Sequence, residues 1–424
     1  MDTSGAWRVA RESAVPYLTV IVFAVLGSAF LTYVVPVAWS PPPTFKGQAP
    51  SVIFMFIAFA IALLLWLVYR GRRSSYRPLT VFLIALTLLW VLHFVMDRVH
   101  GGQNPYTFLL AIPILLMVLL KTPSASEAWR GIMVFGWLVA IMLVVTRLLE
   151  MANVLPMYYV SPDIINFDKS NYWLPFSGHL GLDGRWTGPF VATNRTGFMA
   201  AILLVIGVGR WSRSSWVFTP VAILTLIACG SRAAYLAAFV GLAVLLLASR
   251  RGLLARVPNW LRVAGALVLA GLGAAVLYEI GPGSTGRQDG LWPIFLTAWH
   301  RNEWFGVGKD LGSNIPGGSN ISEAHSMVVG ELAGYGILGL IAVMAVIAVG
   351  LVIAIKAAAR GFAVPAAILA SYVVTAQTDV LNDWLAPSYA WLLVVLAVVA
   401  AGVSIASSGE ASLNEPVTTS DDVS

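Results

Sequence analysis

Charge is scarce in this chain. Only 11% of its 424 residues are Asp, Glu, Lys or Arg, while 58% are hydrophobic and the mean hydropathy is +0.82. Soluble domains carry about 25% charged residues, so a water-solvated globular fold is excluded. Cysteine is scarcer still: Cys229 stands alone, which excludes an internal disulfide and leaves no thiolate metal site. It is expected to be a packing residue. No cleavable signal peptide is expected. The opening MDTSGAWRVARESAVP leads into an apolar run that is too long and has no small-residue cleavage site, so the first helix is expected to stay. The sequence pI of about 9.5 comes mostly from short basic loops suited to anionic lipid headgroups, so no nucleic-acid partner is expected.

What is abundant is apolar sequence in helix-length pieces. A hydrocarbon core needs roughly 20 apolar residues per helix. About twelve runs approach that length: residues 15–36, 51–69, 79–96, 106–120, 129–150, 190–209, 215–230, 233–249, 261–280, 325–355, 362–378 and 386–407. The pattern predicts an all-α, polytopic transmembrane helical bundle of about twelve helices, one integral membrane domain over 1–407. The acidic, Ser/Thr-rich tail 408–424 is expected to be a disordered cytoplasmic extension.

Alternating twelve helices sorts the basic residues by side. One side receives Arg8, Arg11, Arg70, Arg72, Arg73, Arg77, Lys121, Arg130, Arg210, Arg213, Arg250, Arg251, Arg256, Arg262, Lys356 and Arg360. By the positive-inside rule that side, with both termini, is cytoplasmic. The other face keeps Lys46, Arg98, Arg147, Lys169, Arg185, Arg195, Arg232, Arg287, Arg301 and Lys309. Cations gathered on an outer face point to an anionic ligand there. Two long outer loops, 151–189 and 281–324, are rich in Gly, Pro, Asn, Asp and aromatics, which suits folded loops with a function. No internal repeat of the transporter kind is visible.

Four stretches at the outer face could carry chemistry: GRWTGPFVATNRTG (184–197), GSRAAYLAAF (230–239), STGRQDGLWPIFLTAWHRNEWFGVGKDLG (284–312) and SEAHSMVVGELAGYGILGLI (322–341). Each supplies a cation or an imidazole at a helix boundary. A guanidinium fork gives two parallel charge-assisted bonds to phosphate oxygens, and helix N-termini favour anions. His325 falls at such a start, where a positive helix end favours the neutral imidazole that can accept a proton. Plainer readings stand beside these. A single Arg at a helix end is most often an interfacial anchor, and His325 alone could be a capping residue. Glu331 could be the buried partner of an Arg, and the 16 Trp and 13 Tyr mostly form an interfacial belt. Trp173 and Trp186 in the first long loop could instead stack on sugar rings. GVGK (306–309) is no phosphate-binding P-loop, because Glu303 stands at its first Gly position and Asp310 replaces the Ser/Thr.

In this order the stretches resemble the O-antigen ligase and O-antigen polymerase superfamily of bacterial surface-polysaccharide enzymes. The matching positions are Arg185, Gly188 and Asn194 before a central helix, then the turn Ser231, Arg232, Ala233 and Ala234. Gly286, Arg287, Trp292, Gly306 and Gly308 follow in the large loop. His325, Glu331, Gly336, Ile337, Leu338 and Gly339 come last. The chain departs in having Ser326 and Met327 after its His and Ala233 in place of Gly, and neither change removes a charge.

The resemblance implies a multi-pass glycosyltransferase of the bacterial plasma (inner) membrane with its site on the outer, periplasmic or extracellular, face. Its donor would be a glycan on undecaprenyl diphosphate, and its acceptor a hydroxyl on a lipid (lipid A core, for a ligase) or on a growing glycan (for a polymerase). His325 would be the catalytic base or orienter of an inverting displacement. Arg185, Arg232 and Arg287 would hold the diphosphate, with Arg195 and Arg301 as further binding candidates and Asp289 and Glu331 in support. Asp168 and Asp183 are alternative bases. The family's chemistry is metal-independent, and the sequence has no outward Asp-x-Asp or His/Asp/Glu cluster, so neither metal nor cofactor is expected. The rival class is a transporter for a lipid-linked sugar. It is disfavoured because the middles of nearly all runs are uncharged, with Arg147, Glu150, Arg195, Asp379 and Asp383 toward outer ends.

Overall fold

The computed structural model describes residues 17–38, 49–68, 76–99, 105–152, 159–160, 185–186, 188–190, 193–210, 214–249, 254–280, 292–308, 326–378 and 389–413. Among them are thirteen α-helices: α1 (Tyr17–Ala38), α2 (Ala49–Val68), α3 (Arg77–Val99), α4 (Pro105–Leu120), α5 (Ala125–Met151), α6 (Thr193–Gly209), α7 (Ser215–Cys229), α8 (Arg232–Ala248), α9 (Asn259–Ile280), α10 (Trp292–Trp299), α11 (Met327–Ala359), α12 (Ala363–Thr378) and α13 (Tyr389–Leu413). Each apolar run yields one helix, and α10 is an extra piece inside the second long loop. The first long loop contributes a two-residue antiparallel ladder, β1 (Tyr159–Val160) with β2 (Arg185–Trp186). Helix α13 continues to Leu413, six residues into the tail expected to be disordered. Glu410, Ala411 and Leu413 favour helix there and extend one already nucleated by its apolar part.

Helices dominate because apolar surroundings leave backbone N–H and C=O groups no partners but each other. Among the described residues, four helices are long and apolar enough to cross a membrane, at 77–96, 125–151, 327–359 and 390–407, with seven shorter apolar helices beside them. That is fewer than the twelve crossings read from the sequence. For five helices the reason is length: α4, α6, α7, α8 and α12 have 15–17 residues, whereas α1, α2 and α9, at 20–22 residues, are described in full only over part of their length. At 1.5 Å per residue the five short helices reach about 22–26 Å, less than a ~30 Å hydrocarbon core. The described surface is strongly apolar, with Ile57, Leu64, Leu88, Ile141, Leu224, Leu267, Ile341 and Ile355 exposed. A soluble monomer rarely shows such a belt, and the apolar helices suggest a membrane protein.

The core is built around α6 and α13. Every α6 residue from Thr196 to Gly207 is buried, and the apolar part of α13 is nearly all enclosed. Helix α6 packs on α5, α7, α8 and α12, while α11 packs on α3, α10, α12 and α13.

Side-chain contacts define two ends of the bundle. At one end, basic side chains cap helix C-termini, where carbonyls lack intrahelical partners. Lys121 Nζ donates to Trp66 O at 2.8 Å and Leu67 O at 3.2 Å. The Arg262 guanidinium donates to the carbonyls of Leu246, Leu247 and Ser249; Arg360, at the end of α11, donates instead to a carbonyl on the side of α13, Ile405 O at 2.9 Å. Trp129 Nε1 donates to Ser404 Oγ at 3.1 Å beneath the Arg210 guanidinium, 5.3 Å from its ring. Gly209 abuts Leu245 and Val364, tying the α6, α8 and α12 termini to that end. Of the residues that sequence charge assigned to one side, Lys121, Arg210, Arg262 and Arg360 thus share one end. Arg147, Arg195 and Arg232 lie at the opposite helix ends.

Candidate functional site

At the opposite end, two helices begin side by side. Ser231 caps α8 by accepting from Ala234 N at 3.2 Å, and its hydroxyl donates to Asn194 Oδ1 at 2.7 Å in the first turn of α6. Gly230, left-handed at φ 54°, closes α7 just before it. The GSR turn therefore does three things: it ends one helix, starts the next, and joins it to a third. Arg195 and Arg232, both half-buried, follow directly on the two bonded residues. Two positive helix ends and two guanidiniums make this region suited to an anion.

The Arg-x-x-Gly stretch is fastened to the same region. A Cβ on Gly188 would lie 2.6 Å from Thr196 Cγ2, so the short 3-10 turn Gly188–Phe190 sits directly on α6. Trp186 donates its indole N–H to Glu150 Oε2 at 2.8 Å, and Arg147 approaches the same carboxylate at 3.5 Å while lying 5.9 Å from the Trp186 ring centroid. Trp186 is 2% exposed. This corrects the sugar-stacking expectation for Trp186: its ring is inside the protein and its polar edge serves a buried carboxylate. It also gives Arg147 a structural task. Arg98, which lies 5.7 Å from the Phe94 ring centroid, is likewise an ordinary helix-end charge. Arg185 is placed by its backbone in β2, opposite Val160.

A second cluster joins the large loop to α11. Helix α11 is broken at Gly336 (φ 67°, ψ −164°), a backbone conformation essentially reserved for glycine. The freed groups pair with the loop that follows α10. Val307 N donates to Ala333 O and Gly308 N to Gly334 O, each at 2.9 Å. Ile337 N donates to Glu303 O at 2.9 Å and Leu338 N to Trp304 O at 3.3 Å. A Cβ on Gly336 would run into the Trp304 carbonyl, and one on Gly306 into the Gly334 carbonyl. The Gly-x-Gly of the loop and the Gly-Ile-Leu-Gly of the helix are thus two halves of one contact. Phe295 and Ala298 of α10 pack against Val329 and Ala333 beneath it. Arg301, exposed, lies in the turn just after α10.

Glu331, one turn into α11, is 4% exposed, and its partner is a histidine, not the arginine expected. His93 Nε2 of α3 lies 3.2 Å from Glu331 Oε2, without the alignment of a hydrogen bond, and is itself fully buried. The Tyr335 ring stacks on the imidazole at 4.0 Å. Sequence reasoning missed His93. The available signal was an ionisable residue inside the 79–96 run, since such residues in apolar helices are costly and usually functional. Glu150 was noticed only as an outer-end charge.

His325, Arg287, Asp289, Asp168, Asp183 and Trp173 lie outside the described residues, as do Lys46, Lys169 and Lys309. Helix α11 starts at Met327, capped by Ser326, whose Oγ accepts from Val329 N at 3.5 Å. His325 therefore directly precedes the cap. Among the described residues no group of three His, Cys, Asp or Glu could hold a metal ion. No family model matches the chain, and no curated protein matches it.

Proposed function

We propose that this chain is a membrane glycosyltransferase that moves a glycan from undecaprenyl diphosphate to a hydroxyl acceptor on the outer face of the plasma membrane. The observation that carries this reading is the Ser231–Asn194 bond. It aligns the first turns of α6 and α8, with Arg195 and Arg232, at the end opposite the carbonyl-bound lysine and arginines. By the positive-inside rule the capped end is cytoplasmic, which turns the anion-suited end outward.

In the proposed reaction the acceptor oxygen attacks the anomeric carbon, the bond from that carbon to the diphosphate oxygen breaks, and configuration inverts. His325 takes the acceptor proton. Arg185, Arg232 and Arg287 stabilise the charge that grows on the departing lipid diphosphate, with Arg195 and Arg301 as further binding candidates. In a polymerase of the same superfamily the acceptor is a second donor-borne glycan, and the motifs serve both.

One observation favours a second reading. The buried His93–Glu331 pair is the kind of intramembrane ionisable couple that a proton-linked carrier of a lipid-linked sugar also needs. Proteoliposomes separate the two. With lipid-linked donor and a hydroxyl acceptor, donor consumption with acceptor elongation is expected, and His325→Ala and Arg232→Ala are expected to abolish it at normal membrane expression. Translocation without bond formation, or wild-type transfer in either variant, would overturn the assignment.

A further inference from the structure

At the capped end of the bundle the basic residues divide into two kinds. Lys121, Arg262 and Arg360 are engaged with helix carbonyls. Arg130 and Arg210 are not. Both are exposed, Arg210 lies over Trp129, and the side chain of Arg130 makes no hydrogen bond or ion pair with the described residues. The two line one groove of about 450 Å³ between the start of α5, the end of α6, the start of α12 and the last turns of α13.

The groove is built for an amphiphile with an anionic head. Ser126 and Ser407 add hydroxyls to the two guanidiniums, and no described lining residue is a carboxylate. The opening turn of α5 is closed by its own capping box, with Glu127 Oε2 accepting from Ser124 N at 2.8 Å, so the guanidiniums and hydroxyls are the donors the groove offers. Trp129, Met133 and Phe362 form apolar walls, which a free inorganic anion would not use. Arg130 also heads a stripe on one face of α5. Met133, Trp137, Ile141, Val144 and Leu148 follow at intervals of three and four, the last four exposed. From Arg130 to Leu148 the stripe runs about 27 Å, close to the ~30 Å thickness of a hydrocarbon core. A head at Arg130 thus continues into a surface that suits acyl chains.

We propose that this groove binds an anionic phospholipid, its phosphodiester on Arg130 and Arg210, its glycerol region on Ser126 and Ser407, and its chains along the α5 stripe. Each basic residue near a membrane surface contributes about 1 kcal/mol toward an anionic headgroup, so removing both predicts an about thirty-fold loss.

The test uses the full chain in detergent micelles with native mass spectrometry as the readout. Phosphatidylglycerol should be retained selectively over phosphatidylcholine. Arg130→Ala/Arg210→Ala should lower that retention about thirty-fold at an unchanged thermal midpoint, and Arg130→Gln alone should give an intermediate loss. Arg256→Ala, an exposed arginine of the same end outside the groove, should leave retention intact. Equal retention of the two lipids, or unchanged retention in the double variant, would overturn the site. Displacement of the lipid by inorganic phosphate at the same concentration would overturn the lipid as its occupant.

Discussion

Gly336→Ala isolates what the break in α11 does. At φ 67° and ψ −164° an alanine is strained by about 1–3 kcal/mol, and its Cβ would overlap the Trp304 carbonyl. The loop and helix must separate for the methyl to fit. Separation releases four backbone bonds: Val307 N to Ala333 O, Gly308 N to Gly334 O, Ile337 N to Glu303 O and Leu338 N to Trp304 O. The helix recovers much of this by closing its own ladder across residue 336, where Ala is favoured over Gly by roughly 0.5–1 kcal/mol. The loop has no such substitute. The balance moves by about 2–3 kcal/mol toward a continuous helix with a displaced loop, a shift of roughly thirty-fold or more in population. Backbone amide exchange reads this directly. The amides of Val307 and Gly308 should lose at least about tenfold protection, while those of Ile337 and Leu338 stay protected by new intrahelical partners. Gly271→Ala is the control, because nothing lies within 4 Å of its added methyl. Unchanged protection at Val307 and Gly308 would refute the account of the loop and helix as one interlocked unit.

The buried pair gives a second prediction. His93→Ala removes the polar group that faces Glu331 in the core and should cost about 1–3 kcal/mol, while His93→Leu combined with Glu331→Met should be close to neutral. Thermal unfolding of both checks this, and equal destabilisation by both would mean that packing, not charge, is what matters there. At the turn between α7 and α8, Ser231→Ala removes a helix cap and the bond to Asn194, with an expected loss of about 1–2 kcal/mol. Transfer activity should fall further than that stability loss explains, because α6 and α8 are no longer aligned. Activity that simply tracks the folded fraction would remove the site role from this bond.

Much of the helical layout was legible because lipid-facing sequence has one simple rule. A mostly apolar run of this length folds as a helix in apolar surroundings, and each of the twelve runs yields one, with the largest end difference the six-residue extension of α13. Charge sorting was legible for the same reason: Lys121, Arg210, Arg262 and Arg360 were assigned to one side and share one end. Crossing length was less legible. Five runs gave helices of only 15–17 residues, and composition alone does not say whether a short helix spans or is buried. The motif residues were visible as unusual letters, but not as partners. Trp186 looked like a sugar platform because nothing local reveals that Glu150, thirty-six positions earlier, takes its N–H. His93 was invisible for the same reason, lying far in sequence from Glu331.

By itself the sequence determined the helical composition, the grouping of basic loops and which short stretches carry polar groups at helix ends. Those properties depend on neighbours within a few residues and on transfer between water and lipid. Only the tertiary structure decided that Asn194 meets Ser231, that Glu331 faces His93, and that the Gly306–Gly308 loop repairs the break at Gly336. Each of these depends on which helices become neighbours. That choice is made by packing over the whole bundle, through close approaches such as Gly197 against Ala234, and no local pattern encodes it.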